Sequence, residues 1–205
     1  LSLKEFETYI KTTFNQQKSA TVNIKLPLSQ SEIDYIQKYE IIPIDNITIE
    51  NSVQHRFMDA YIERGHKETE EEIGQETIEF LDKPLEFLII NIEEFIYIET
   101  IWFKNLGIDA ISLELDDVFK TYDVMLGLKQ PKKKEKQIKQ YLNEQMSVSP
   151  TTFDLLFNQN EGIWEINLTL NDIYNFKSDF TIGEAYLFIY EFLFNLAVII
   201  EEENN

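Results

Sequence analysis

The chain has 205 residues, with 37 acidic side chains against 18 basic ones, a formal charge of −19 and no cysteine. Charge of that size keeps a protein soluble, repels nucleic acid and anionic membranes, and attracts basic partners; the lack of cysteine excludes disulfides, thiolate metal sites and cysteine nucleophiles. Hydrophobic residues make up 43% of the chain, including 15 Phe and 10 Tyr, which is ample for a core and excludes a disordered chain.

From the N-terminus, Leu1–Lys18 reads as an amphipathic segment and not a signal peptide. Ser2 and Glu5 form a capping-box pair, and Leu3, Phe6, Ile10 and Phe14 recur at helical spacing, so a helix is expected over 2–17. Val22, Ile24, Leu26 and Leu28 alternate with polar residues and Pro27, the pattern of a half-buried strand at a sheet edge. Ser29 with Glu32 opens a second helix carrying Ile33, Ile36 and Tyr39, and Ile41–Glu50 is strand-like but broken by Pro43. Residues 51–64 are expected to form a third helix, capped by Asn51 or Ser52 and ended by Gly65, with Val53, Phe57 and Tyr61 on one side. The polar segment His66–Gln75 reads as a solvated loop or an exposed helical turn.

A β-rich centre follows. The runs 78–81 and 85–88 flank Asp82, Lys83 and Pro84 and suggest two strands with a tight turn. Phe95–Phe103 reads as a strand or a buried helix, and Ile108–Leu115 alternates cleanly, giving a meander of three or four antiparallel strands over 76–117. Pro131 is well placed to begin a helix running to about Met146, and Pro150 to begin a short one through Phe157. Trp164, Ile166, Leu168 and Leu170 alternate with Glu165, Asn167 and Thr169, the clearest strand pattern in the chain. Finally Thr181 and Glu184 cap a helix that is apolar nearly all round through Ile200, broken only by a line of Glu184, Glu191, Asn195 and Glu202. A helix of that kind belongs in a core, and the apolar run reads as too short and interrupted for a bilayer. The fold class expected is α+β, a mostly antiparallel central sheet with helices packed on it and a largely buried hydrophobic C-terminal helix. No Gly-, Ser- or Pro-rich linker divides residues 1–205, so a single domain is the economical reading.

Three constellations bear on chemistry. His55, Asp59 and Glu63, at i, i+4 and i+8 of the expected third helix, align two carboxylates and an imidazole; a solvated helix face is the favoured reading, with no tight metal site. Glu191 within apolar surroundings suits acid–base chemistry if it is buried, and otherwise marks where the stripe reaches solvent. The segment 129–139 holds six Lys and one Glu, but without Arg or interleaved aromatics it is read as solvated or docked on the acidic 68–72 run, not as a nucleic-acid patch. Phosphate-loop, dinucleotide-binding, zincin, hydrolase-elbow and EF-hand motifs are all absent. The expectation is therefore an acidic protein-binding module, inhibitor- or immunity-like, docking on a basic partner through Glu68, Glu70, Glu71 and Glu72. It needs no cofactor, membrane or nucleic acid, and a cytoplasmic location is the default. The alternative is a carboxylate-based enzyme, with or without a metal, acting on a small molecule at His55, Asp59 and Glu63 or at Glu191.

Overall fold

The computed structural model describes residues 3–20, 24–45, 47–147 and 153–202. Seven strands form one antiparallel sheet: β3 (Tyr61–His66), β4 (Glu72–Glu76), β5 (Glu94–Glu99), β6 (Ile108–Leu115), β7 (Tyr122–Leu128), β8 (Phe153–Asn158) and β9 (Ile163–Thr169). Their spatial order is β4-β3-β5-β6-β7-β9-β8, which leaves β4 and β8 as the edges. Alternation decides the two faces. Ile62, Ile96, Ile98, Leu113, Val124, Leu126, Ile166 and Leu168 are all buried, whereas the residues between them are only partly covered or exposed. Helices occupy the first face.

The central helix is α7 (Ile182–Glu202). Its start is fixed as the sequence demands: the Thr181 N–H donates to Glu184 at 2.8 Å, and the Glu184 N–H to the Thr181 hydroxyl at 3.1 Å. The Tyr186 hydroxyl, fully buried, donates to the Ile96 carbonyl at 2.7 Å and ties the helix to β5. With 21 residues and a mean hydropathy of 1.5, α7 is long and apolar enough by itself to cross a membrane, longer than the sequence reading allowed. Of its most apolar stretch, 56% is buried within the protein, which makes it the core helix of this fold. Glu191 is half-buried on the side facing Ser31, whose hydroxyl lies 3.3 Å away, so the polar stripe runs along a partly exposed line.

The N-terminal segment packs beside α7 as α1 (Lys4–Ala20), β1 (Ile24–Leu26), α2 (Gln30–Lys38), β2 (Ile47–Ile49) and the single turn α3 (Val53–Arg56), with β1 and β2 paired in parallel. The Ser29–Glu32 capping box is present, and Glu32 also faces Arg56 across a dry junction where both side chains are 0% exposed. A short turn α5 (Ile101–Lys104) follows β5, and α6 (Glu135–Gln145) packs on α7 near its C-terminal half, where the Tyr141 hydroxyl donates to the Phe192 carbonyl at 2.7 Å.

Several expectations are corrected. The third helix stops after one turn, and Tyr61 onward is β3, because pairing with both β4 and β5 overrides the local helical spacing of Val53, Phe57 and Tyr61. The runs 78–81 and 85–88 are not strands. The first is a 3₁₀ turn, Ile78–Asp82, and the second leads into a helical turn, α4 (Phe87–Ile90). Neighbours Phe80 and Leu81 are both buried, which a two-sided strand at this edge does not permit. The meander over 76–117 thus supplies β5 and β6 only, and Phe103 belongs to α5. Segment 118–130, unassigned from sequence, contains β7. Residues 153–157 fall within β8 where a short helix was expected; the Pro150 start of that helix and the Ser2 cap lie outside the described residues.

Candidate functional site

The helix-free face of the sheet carries a concavity of about 1000 Å³. Its lining comes only from β3, β5, β6, β7 and the β3–β4 turn: Tyr61, Glu63, Lys67, Glu70, Phe95, Tyr97, Glu99, Ser112, Glu114 and Met125. Alternation puts the strand residues on this face, and Tyr97, Ser112, Glu114 and Met125 each lie between two buried positions of their strand. The floor is aromatic. Tyr61 and Tyr97 meet edge to face with centroids 6.5 Å apart, and the Phe95 ring lies over Gly65, where a Cβ would come within 2.2 Å of it. Only glycine at position 65 lets that ring lie flat against the strand.

Carboxylates surround this floor. The Tyr61 hydroxyl donates to Glu63, and the Tyr97 hydroxyl to Glu99 at 3.0 Å. The carboxylate beside Tyr61 pushes its phenol up to about 12, and burial, helped by Glu99, does the same for Tyr97. Both phenols therefore stay neutral donors at physiological pH. Glu99 is held below the usual carboxylate range by Lys104, 3.0 Å away, and by Tyr97. Glu114 and Asp123 stand opposite each other on β6 and β7. Partial burial raises both, and for Asp123 the charge of Asp116 adds to the effect. Lys67 is the one cation in the lining, and it is already engaged with the Leu115 carbonyl at 2.8 Å and Asp117 at 2.7 Å. The face thus offers aromatic surface and several carboxylates, a combination suited to ammonium or guanidinium groups through ion pairing and ring–cation attraction.

Of the four acids singled out from sequence, Glu70 lines this concavity. Glu68, Glu70 and Glu71 sit in the exposed β3–β4 turn, with Glu70 at a left-handed φ of 56°, and Glu72 begins the edge strand β4. The His55, Asp59 and Glu63 alignment does not exist. His55 is on α3, Asp59 follows it in a turn, and Glu63 faces the sheet concavity from β3. Among the described residues no group of three His, Asp or Glu side chains is arranged to hold a metal ion. His55 instead lies between Ser52, whose hydroxyl is 2.7 Å from Nδ1, and Glu50, 3.2 Å from Nε2. This order resembles a nucleophile–base–acid chain, but the Ser52 hydroxyl also accepts the His55 N–H as the helix cap, and Glu50 is shared with Lys25 at 2.6 Å. The cluster secures a helix start. In the basic segment, Lys134 is buried and donates to the Ile200 carbonyl at 3.0 Å, complementing the C-terminal end of α7; Lys129 pairs with Asp109 and Lys139 with Glu135, with none of these three bonded to the 68–72 run.

No family model, curated protein or solved structure matches the chain. Tyr61, Glu63, Phe95, Tyr97, Glu99 and Met125 were not singled out from sequence as members of one surface. Apart from Glu70, a signal was present for Ser112 and Glu114, which stand on the polar side of the alternating 108–115 run.

Proposed function

We propose that this chain is a protein-binding module, inhibitor- or immunity-like in action, that docks the helix-free face of its sheet on a basic protein in the cytoplasm. The observation that carries the reading is a broad concavity whose aromatic floor is ringed by Glu63, Glu70, Glu99 and Glu114 with its single lysine already paired. An enzyme pocket of this size ordinarily encloses its ligand and converges polar groups on one point; here the carboxylates are spread around an open surface. The net charge of −19 adds long-range attraction for a cationic partner.

Association with a dye-labelled lysine-rich peptide, followed by stopped-flow fluorescence anisotropy, tests this directly. The on-rate is expected to fall steeply as salt rises, because screening acts over about 8 Å at physiological ionic strength. Replacing Glu63, Glu99 and Glu114 with Gln lowers the on-rate and flattens its salt dependence, and replacing Glu70, Glu71 and Glu72 does so to a smaller extent. On-rates that respond equally to replacing acids on the far side of the molecule, such as Glu144 on α6, would remove the face from the proposal. The carboxylate-enzyme alternative has one specific support, the half-buried Glu114–Asp123 pair with raised proton affinity. Turnover of a small molecule that disappears in Glu114→Gln would favour it over docking.

A further inference from the structure

The turn between β6 and β7 presents Val118 and Phe119 to solvent at 80% and 77% exposure. Large apolar side chains in water are ordinary when scattered and mobile, but this pair is adjacent and held. The Asp116 carboxylate accepts the Val118 N–H at 2.7 Å and the Phe119 N–H at 2.6 Å. Its backbone closes the turn: the Asp116 N–H donates to Thr121 at 2.7 Å, the Lys120 N–H donates to the Asp116 carbonyl at 3.0 Å, and Lys120 takes a left-handed φ of 57°. Lys67 braces the base from the neighbouring β3–β4 turn through the Leu115 carbonyl and Asp117. A turn so fixed has lost little further freedom when a partner covers it, which is how a small contact becomes strong.

The tip is also continuous with the acidic face. Lys67 belongs both to its brace and to the main concavity. Phe119 lines a second concavity of about 280 Å³, whose walls include Asp116, Asp123 and Asp154. An apolar projection framed by carboxylates is complementary to apolar side chains interleaved with lysine or arginine. We infer that Val118 and Phe119 are the apolar anchor of the docking surface, packing against apolar side chains of the basic protein while Asp116, Asp117, Asp123 and Asp154 meet its cationic groups. This inference rests on the docking reading and adds the buried centre that such interfaces need.

Two synthetic peptides of equal length and equal lysine content test it, one with leucines between the lysines and one with serines. Each is titrated by calorimetry against the full chain at low and at physiological salt. The leucine peptide is expected to bind more tightly, and Phe119→Ser with Val118→Ser to cut that advantage by roughly tenfold or more, in keeping with loss of an interface hot spot. Affinity for the serine peptide and the melting temperature should stay unchanged, and Phe119→Leu should keep most of the advantage. Ile90→Ser serves as the control, because Ile90 on α4 is 82% exposed and lies outside both concavities. A leucine advantage untouched by the tip substitutions, or lost equally in Ile90→Ser, would overturn the anchor while leaving salt-dependent docking intact. If neither peptide binds at low salt, the docking reading itself fails, and the anchor with it.

Discussion

The junction between the N-terminal segment and α7 turns on one ion pair, and a double-mutant cycle measures it. Arg56 donates to Glu32 twice, at 2.9 and 2.6 Å, with both side chains fully buried. Glu32 also accepts the Tyr190 hydroxyl at 2.6 Å and the Ser29 N–H at 2.6 Å, so its two oxygens receive four hydrogen bonds. The guanidinium lies between the Trp102 and Tyr190 rings, 4.0 and 4.5 Å from their centroids. Arg56→Met keeps much of that packing but strands a carboxylate in a dry site, a loss of about 3–5 kcal/mol. Glu32→Met strands the guanidinium at similar cost and also leaves Tyr190 and Ser29 without their acceptor, roughly 1–3 kcal/mol for each buried group. The double variant buries no charge and suffers only the latter loss, so the two substitutions should be non-additive by at least about 2 kcal/mol. Urea unfolding followed by tryptophan fluorescence gives all four corners, since Trp102 stands at the junction. Additivity within about 0.5 kcal/mol, the behaviour of independent sites, would mean that the two charges do not depend on one another, and the packing of α2 and α3 on α7 would need another explanation.

Three further outcomes follow from the core and the sheet face. Phe192→Ala should lose about 3–5 kcal/mol, because the ring is 6% exposed and packs on Tyr141 at 5.1 Å; a loss under about 1 kcal/mol in the same unfolding assay, a typical surface effect, would mark α7 as peripheral. Gly183→Ala should cost about 1–3 kcal/mol, since the new methyl would stand 2.3 Å from a Val53 methyl and 3.1 Å from the Leu81 Cβ and would push α3 from α7; unchanged stability would show that α3 yields freely. Glu114 and Asp123 have proton affinities raised by folding, so their ionisation costs stability as pH rises through and above the carboxylate range. Glu114→Gln and Asp123→Asn should accordingly raise the melting temperature at pH 7, with the gain vanishing below about pH 4, where the wild-type groups are protonated in both states; a gain that persists there would point to packing and not charge.

Much of the architecture is written in local pattern. The Thr181–Glu184 and Ser29–Glu32 pairs set two helix starts, and the unbroken alternation of 108–115 and 164–169 gave two central strands, because those signals involve residues within one turn or one pleat of each other. What failed depended on distant partners. Tyr61 to His66 has no strand-like alternation of polarity, since Arg64 lies on the core side of the sheet, where Glu76 at 2.6 Å and Glu94 at 2.8 Å make it tolerable. In β7 the alternation of Tyr122, Val124, Leu126 and Leu128 exists, but Met125 and Gly127 on the other side blur it. The candidate face was harder still to read. Its carboxylates and aromatics come from three strands and the β3–β4 turn, spread between positions 61 and 114, and only the sheet order makes them neighbours. The acidic 68–72 run was conspicuous in sequence because its charges are consecutive, and Glu70 is the only one of the four singled-out acids that lines the concavity.

The most direct test of docking through the helix-free face is a footprint. With the amides of the full chain assigned by NMR, titration with the lysine-rich peptide at low salt should move resonances of Tyr61, Phe95, Tyr97, Ser112, Glu114 and Met125, with Val118 and Phe119 joining them for the leucine-bearing peptide. Those of α1 and α6 should stay in place. Shifts centred on the helical side, or spread evenly over the acidic surface without a focus on these strands, would contradict a built docking face and leave only unspecific attraction between opposite charges.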